Sequence, residues 1–321
     1  MMKIAIYSAR DDEQEFFSHF GPAYGVELVM LPVDPVPETV QLAAGCDAVS
    51  IITSTHITSP MLDGYKALGI QYISTRTIGC EHIDVAYATS IGIGVGNVGY
   101  TPYSVAEYTI MMMLMALRHV KTLLNRSVGQ DYSLHLCVRG RLIHEATVGI
   151  IGTGKIGGTV AKLLSGFGCK VLAYDLWENP DLADLVEYVP LDALLKRSDI
   201  VTLHAPSTAE NFHLLNAKNL ATMQTGAVLV NTARGNLVDT EALIEALERG
   251  HLGGAALDLV EGDRSIYYRD KKGVQLQHRS MAILNAMPNV VMMPHMAFYT
   301  DQSVSDMVEN SIKSCIANVT A

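Results

Sequence analysis

Cysteine is scarce and badly placed for cross-links: the five residues, Cys46, Cys80, Cys137, Cys169 and Cys315, are odd in number, widely spaced and never arranged as C-x-x-C. That excludes a disulfide framework or a vicinal redox pair, and it points to a reducing cytoplasm. Long apolar runs are missing too. The longest, around Thr109 to Leu117, falls well short of the roughly 20 residues that a membrane span needs. The opening Met-Met-Lys-Ile-Ala-Ile-Tyr-Ser-Ala-Arg turns polar after a short apolar stretch with no A-x-A-like site behind it, so it reads as a strand and not as a signal peptide. There is no excess of positive charge: 23 Lys and Arg stand against 33 Asp and Glu, a net charge of -10, which argues against nucleic acid or an anionic membrane as partner. No close cluster of His, Cys and acids has metal-ligand spacing, so no metal is expected.

What is present fits a globular protein: 321 residues, 49% hydrophobic and 17% charged, are enough for two domains with cores of their own. Short runs rich in Val and Ile alternate with helical segments, the signature of βαβ units and parallel sheets. One series runs from Lys3-Ile-Ala-Ile-Tyr to Gly94-Val, and a second from Thr147-Val-Gly-Ile-Ile to Val290-Val-Met-Met. Between them, Ser104 to about Leu124 reads as a helix joining the domains, opened by a capping box of Ser104 and Glu107. Its methionines, Met111 to Met113 and Met115, read as core packing. Asp301 to Ala317 reads as a helix that returns to the first domain.

The pattern G-x-G-x-x-G occurs twice, and context separates the copies. Gly152-Thr-Gly154-Lys155-Ile156-Gly157 follows the apolar run Val148 to Ile151 and opens a helix with Val160, Leu163, Leu164 and Phe167 on its inner side. The next strand ends in Asp175, 21 residues after Gly154. The first glycine permits a tight turn, the second admits a pyrophosphate to backbone N–H groups, and the third lets helix and strand approach. Phosphate charge is then stabilised by the helix N-terminus. An acid such as Asp175 accepts hydrogen bonds from ribose hydroxyls and repels a 2′-phosphate, which favours NAD over NADP. Gly94-Val-Gly96-Asn-Val-Gly99 leads into Tyr100-Thr101-Pro102 instead of a helix, and reads as a structural crossing between domains.

The second series also places charged groups just past its strands, where open α/β sheets hold ligands. Arg234 follows Val230-Asn-Thr232-Ala233, and His295 follows Val290 to Pro294. Asp258, Glu261 and Asp263 follow Ala255 to Leu257. A guanidinium grips a carboxylate and polarises a neighbouring carbonyl. A histidine paired with an acid has a raised pKa and delivers a proton as hydride reaches C2 of a 2-oxo acid. His56, His82, His204 and His251 are assigned no catalytic part. His204 with Pro206 is expected to shape the strand end beneath a nicotinamide.

These residues, with Gly254-Ala-Ala-Leu-Asp-Leu-Val-Glu-Gly, Pro294-His-Met-Ala-Phe-Tyr-Thr and Tyr72-Ile-Ser-Thr-Arg-Thr-Ile-Gly-Cys-Glu-His-Ile-Asp, resemble the D-isomer-specific 2-hydroxyacid dehydrogenases, and among them the D-lactate dehydrogenases, over essentially the whole chain. The resemblance implies two Rossmann-like, doubly wound parallel-sheet domains. The NAD-binding domain, 100–294, is inserted in a discontinuous flavodoxin-like substrate domain, 1–99 plus 295–321, with hinges near Val98 to Pro102 and Pro294 to Ala297. It implies NADH-dependent reduction of a small, pyruvate-like 2-oxo acid to the D-2-hydroxy acid, and a cytoplasmic homodimer.

Residue by residue, it makes Arg234 the substrate anchor, His295 the acid/base and Asp263 the partner of His295. It adds the amides of Ile78 and Gly79 on the substrate carboxylate, Tyr100 beside the substrate, Phe298 lining the pocket, and Thr232, Ala233, Pro206 and Asp258 at the cofactor. Asp263 stands where the family usually has Glu, so Glu261 remains an alternative partner for His295. Larger substrates, such as phenylpyruvate, 2-oxoglutarate or branched-chain acids, and a dinucleotide-sensing co-repressor, are the competing readings. Pocket size depends on residues near Ser54 to His56, Tyr100, Phe298 and Tyr299.

Overall fold

The structure, a computed structural model, describes residues 1–319 apart from Ser54, Glu81, Arg264 and Ser265. Ser54, expected near the substrate, therefore lies outside the described residues. The chain forms two compact units, Met1–Thr101 with Tyr299–Ala321, and Pro102–Phe298. The crossings fall a few residues later than the sequence suggests, so His295 belongs with the second unit. The reason is local: residues 295 to 297 are bonded through their amides to Asp258.

The first unit is a five-stranded sheet of β1 (Lys3–Tyr7), β2 (Glu27–Leu31), β3 (Ala48–Ile51), β4 (Tyr72–Thr75) and β5 (Gly94–Asn97). Every pairing is parallel and the order is β2-β1-β3-β4-β5, a flavodoxin-like arrangement. β3 and β4 are buried at all positions, as strands covered on both faces must be. The helix Asp301–Asn318 packs Val308, Ile312 and Cys315 into the cluster of Ile4, Ile6, Ala48 and Tyr72.

A buried ion pair lies under that helix. Arg76 and Glu13 are both wholly enclosed, with Nε 2.8 Å from Oε1. Arg76 also donates to Ser50 Oγ at 2.8 Å and to the Tyr7 carbonyl at 3.0 Å, while Ser311 joins Ser50 and Ser74 at 2.7 and 2.9 Å. Such a charge is tolerated only because its hydrogen bonds are met. The second glycine motif lies in β5, and its glycines make room for Tyr72. A Cβ at Gly96 would fall 1.8 Å from the Tyr72 hydroxyl, which bonds Ser314 at 2.8 Å.

The second unit is a seven-stranded sheet of β6 (Thr147–Ile151), β7 (Lys170–Tyr174), β8 (Glu187–Tyr188), β9 (Ile200–Leu203), β10 (Val228–Asn231), β11 (Gly254–Leu257) and β12 (Val290–Met292). Its order, β12-β11-β10-β9-β6-β7-β8, is all parallel and reverses between β6 and β9, the position at which doubly wound sheets bind dinucleotides. The long helix expected from Ser104 is two helices, Tyr103–Leu117 and Val120–Val128, separated at His119, which is left-handed (φ 51°). Pro102, not Ser104, is the N-cap. Met112 and Met113 are fully buried. The helix after Gly154 ends at Ser165, so Phe167 falls beyond it and is exposed, while Val160 and Leu164 are buried. Among the described residues no helix is long and apolar enough to cross a membrane.

Candidate active site

The crevice between β6 and β9 is built by its glycines. Gly152 is left-handed (φ 93°), and a Cβ there would sit 2.7 Å from the Ala205 nitrogen. A Cβ at Gly157 would sit 1.9 Å from the Gly152 carbonyl oxygen. Gly154, by contrast, has nothing within 4 Å of its Cβ position: the turn leaves an open cradle at the helix N-terminus. Gly154 is the N-cap of the helix Lys155–Ser165 and supplies no side-chain bond to it, so the first helical amides, from Lys155 and Ile156 onward, receive no side-chain cap from that residue and have the geometry that suits an anion. His204, beneath the turn, bonds Thr202 Oγ1 at 3.0 Å, and burial pushes its pKa down to about 3. Pro206 is exposed in the loop that follows, and its carbonyl accepts from Asn211 Nδ2 at 2.6 Å.

Asp175 closes the far side. Its Oδ2 accepts from the Thr153 amide at 2.6 Å and the Thr153 hydroxyl at 3.0 Å, and its Oδ1 from the Trp177 amide at 3.1 Å. Burial works against its charge, but these amides win and hold its pKa below the usual carboxylate value. Tyr188, from the two-residue strand β8, donates to Thr153 Oγ1 at 3.0 Å and steadies the same turn. Sequence reasoning missed Tyr188 because two residues carry no strand periodicity.

Arg234 is held from behind by Asn231. The buried Asn231 amide donates to the Arg234 carbonyl at 2.8 Å, and its Oδ1 accepts from the Ala233 amide at 3.0 Å. Nη1 of Arg234 rests on the Ala233 carbonyl at 2.8 Å. Thr232, expected at the cofactor, is buried with its hydroxyl 2.8 Å from that of Thr109.

His295 stands on a left-handed residue (φ 58°), a conformation rare for non-glycine residues and usually imposed by its surroundings. Here Asp258 imposes it. Expected as a cofactor contact, Asp258 is wholly buried and its carboxylate accepts from the amides of Met296 and Ala297 and from Tyr108. Burial raises its pKa, against these donors. Around the imidazole stand Tyr268, Tyr267 and Phe298, with ring centroids 5.3, 6.1 and 6.4 Å away. Tyr268 donates to the His295 carbonyl at 3.1 Å. The Tyr267 hydroxyl is buried and has no hydrogen-bond partner among the described residues.

Arg234 and His295 share one face of this unit: burial first, and then the Arg234 charge, push the His295 pKa down to about 4. The sequence predicts the opposite direction, through a carboxylate partner. Asp263 is buried and its Oδ2 accepts from the Val260 amide at 3.1 Å. Glu261 is bonded to His213, with Nε2 3.1 Å from each carboxylate oxygen.

In the first unit, Ile78, Gly79 and Tyr100 follow the C-terminal ends of β4 and β5. The carbonyl of Ile78 accepts from Asn97 Nδ2, and that of Gly79 from Thr77 Oγ1 at 2.6 Å. Their amides donate to no group among the described residues. Tyr100 is half-buried between Gly99, whose carbonyl accepts from Asn310 at 2.7 Å, and Thr101, whose amide donates to Asp306 at 2.8 Å.

Residues 110–297 match the family model described as D-isomer specific 2-hydroxyacid dehydrogenase, NAD binding domain. The chain is 42% identical over 315 residues to a D-specific alpha-keto acid dehydrogenase of Enterococcus faecalis, covering 98% of this chain and 96% of that protein. It is 39% identical to an aromatic 2-oxoacid reductase of Clostridium sporogenes, covering 96% of this chain and 93% of the other. Among solved structures, a D-lactate dehydrogenase from Sporolactobacillus sp. superposes with a TM-score of 0.86 at 36% identity, over 98% of this chain and 96% of that one.

Proposed function

The chain belongs to the D-isomer-specific 2-hydroxyacid dehydrogenases, NAD-dependent oxidoreductases that act on CH–OH groups, and from that premise we propose that it reduces a small, pyruvate-like 2-oxo acid to the D-2-hydroxy acid. One observation carries the reading: Arg234 follows β10 and His295 follows β12, at the same end of one parallel sheet, where the guanidinium charge reaches the imidazole. A cation for the carboxylate thus lies beside a proton donor for the carbonyl. When bound, NADH supplies the hydride. Residues that fit it are the open cradle at Gly154, the helix amides after it, and Asp175 for a ribose hydroxyl.

Arg234 binds the substrate carboxylate and polarises C2=O. His295 delivers its proton to the carbonyl oxygen as C2 accepts hydride, and the alcohol forms. An imidazole at about 4 in the free protein is mostly neutral at pH 7, which suits proton abstraction in the oxidative direction. An anionic substrate on Arg234 offsets the smaller of the two causes that depress His295, so binding raises the imidazole pKa towards its ordinary value while burial still opposes the charge. Asp263 is proposed to support the imidazolium. Within the first unit, the amides of Ile78 and Gly79, which donate to no group among the described residues, are of the kind that binds a carboxylate, and Tyr100 belongs to the same unit.

Phe298, edge-on to His295, makes an apolar wall suited to a short C3 substituent. Substrates with aromatic side chains are the second reading, favoured by the likeness to the clostridial aromatic 2-oxoacid reductase. NADH consumption with pyruvate, phenylpyruvate, 2-oxoglutarate and 4-methyl-2-oxopentanoate, followed by chiral analysis of the product, tests both readings. A preference for phenylpyruvate would overturn the small-substrate reading, and an L-product the stereochemical one.

A homodimer formed through the second unit is supported by the segment after His119, where Leu124, Val128, Leu134 and Leu136 are all exposed. Five free thiols support a reducing, cytoplasmic setting.

A further inference from the structure

His213 is a side chain that the chemistry above does not use, yet it touches the loops that bear the reactive groups. It lies in the loop after β9, in left-handed backbone (φ 51°). Its amide donates at 2.9 Å to the carbonyl of Asn236, two residues beyond Arg234. Its Nε2 spans the two carboxylate oxygens of Glu261 at 3.1 Å each, two residues before Asp263. The ring cannot drift: Phe212 stacks on it with centroids 3.9 Å apart, and Asp239 Oδ2 stands 4.0 Å from Nδ1.

The Glu261–Asp263 loop has a second fastening. His278 donates from Nε2 to the Glu261 carbonyl at 2.7 Å, while its Nδ1 accepts from the Met281 amide at 3.1 Å. Only the neutral ring protonated at Nε2 meets both demands. Backbone contact completes the assembly. At Gly235, next to Arg234, a Cβ would fall 2.1 Å from the Val260 carbonyl carbon, so the loop of the anchor and the loop of the acid lie directly against each other.

We propose that His213 is a positioning residue: through Glu261 it fixes the loop carrying Asp263 against the loop carrying Arg234. The proposal rests on the dehydrogenase reading of those two residues. Its physical basis is that a ring N–H donated to an ionised carboxylate forms a charge-assisted bond, and the stacked Phe212 holds the ring in place to make it. Three loops are thereby tied at one point, and placement errors well under 1 Å matter to proton and hydride transfer. It also removes Glu261 as a partner for His295, since its carboxylate is already committed.

The test uses the full-length protein and two readouts. In His213→Leu, kcat for 2-oxo acid reduction falls about tenfold while KM for NADH stays within about twofold, and His213→Gln, which keeps an N–H donor, recovers most of the loss. Glu261→Ala reproduces the fall, and the double variant is no worse than either single one, since the pair acts as a unit. Hydrogen exchange, which needs no turnover, shows faster exchange of the 259–263 amides in both single variants. Wild-type kcat in His213→Leu, equal losses for Leu and Gln, or unchanged exchange at 259–263 would overturn the proposal. If His213→Leu does not fold, Glu261→Ala decides by the same measures. Absence of wild-type turnover with every 2-oxo acid would instead strike the dehydrogenase reading, and the exchange measurement would still judge the fastening.

Discussion

The amide of His295 donates to the carbonyl of Asp258 at 3.1 Å, and the Asp258 carboxylate accepts from the next two amides at 3.0 Å each. A single enclosed acid thus dictates the turn on which the imidazole stands. In Asp258→Asn one acceptor oxygen becomes a donor, and one of the two amides loses its partner. The expected result is a loss of about 1–3 kcal/mol of stability with a kcat at least tenfold lower. Chemical denaturation and steady-state kinetics check it, and an unchanged unfolding midpoint would count against it.

Removing the guanidinium should act on binding and titration together. Arg234→Ala is expected to lower kcat/KM by about 10²–10³. In the free variant the His295 pKa rises, because a neighbouring cation no longer opposes its protonation. NMR titration of the imidazole reads this directly. A histidine titrating as in the wild type would mean that the two side chains do not share a face.

Acid should weaken the fold well above the usual carboxylate range. His295 and His204 titrate at about 4 and about 3 in the folded protein, against 6.5 for an ordinary histidine. Between pH 6.5 and 4 the unfolded chain binds protons that the folded one refuses, so stability present above 6.5 is lost as pH falls, by up to about 1.4 kcal/mol per pH unit for each group. Melting temperature followed from pH 7 to pH 5 tests this. A flat profile, or one that His295→Phe leaves equally steep, contradicts it.

Asp175→Ser removes a charge that would repel a 2′-phosphate, so the preference for NADH over NADPH should narrow. Because the same carboxylate holds the Thr153 amide, KM for both cofactors should rise as well. Selectivity equal to the wild type would displace Asp175 from the ribose.

A buried hydroxyl without a partner, as that of Tyr267 is among the described residues, carries a cost in the free protein. Tyr267→Phe is expected to stabilise it by about 1 kcal/mol, with little change in shape. Destabilisation on denaturant unfolding would show that the hydroxyl has a partner after all.

How much of this was readable in advance depended on locality. The Gly152 turn was legible because strand, glycines, helix and acid follow one another between Thr147 and Asp175, and each has its own steric signature. The rival glycine motif failed the same test, and it failed for Tyr72, a residue outside the motif. Features that join distant segments were silent. Arg76 and Glu13 look like surface charges until the sheet sets β1 and β4 on either side of β3, and His213 shows nothing of Glu261 until three strand ends converge. The helix break at His119 was missed because a left-handed histidine leaves no glycine or proline as a marker. The direction of the His295 pKa went wrong for a related reason. A carboxylate five residues beyond Asp258 suggests a raised value, but burial and then the Arg234 charge, neither of which is visible in a linear pattern, set the direction in the free protein.

Trp177 is the one tryptophan of the chain, it is largely exposed, and its amide is bonded to Asp175. Its emission therefore reports from a single address, the Asp175 end of the crevice. Filling of that end can be followed optically in unlabelled protein, independently of whatever acid occupies the other.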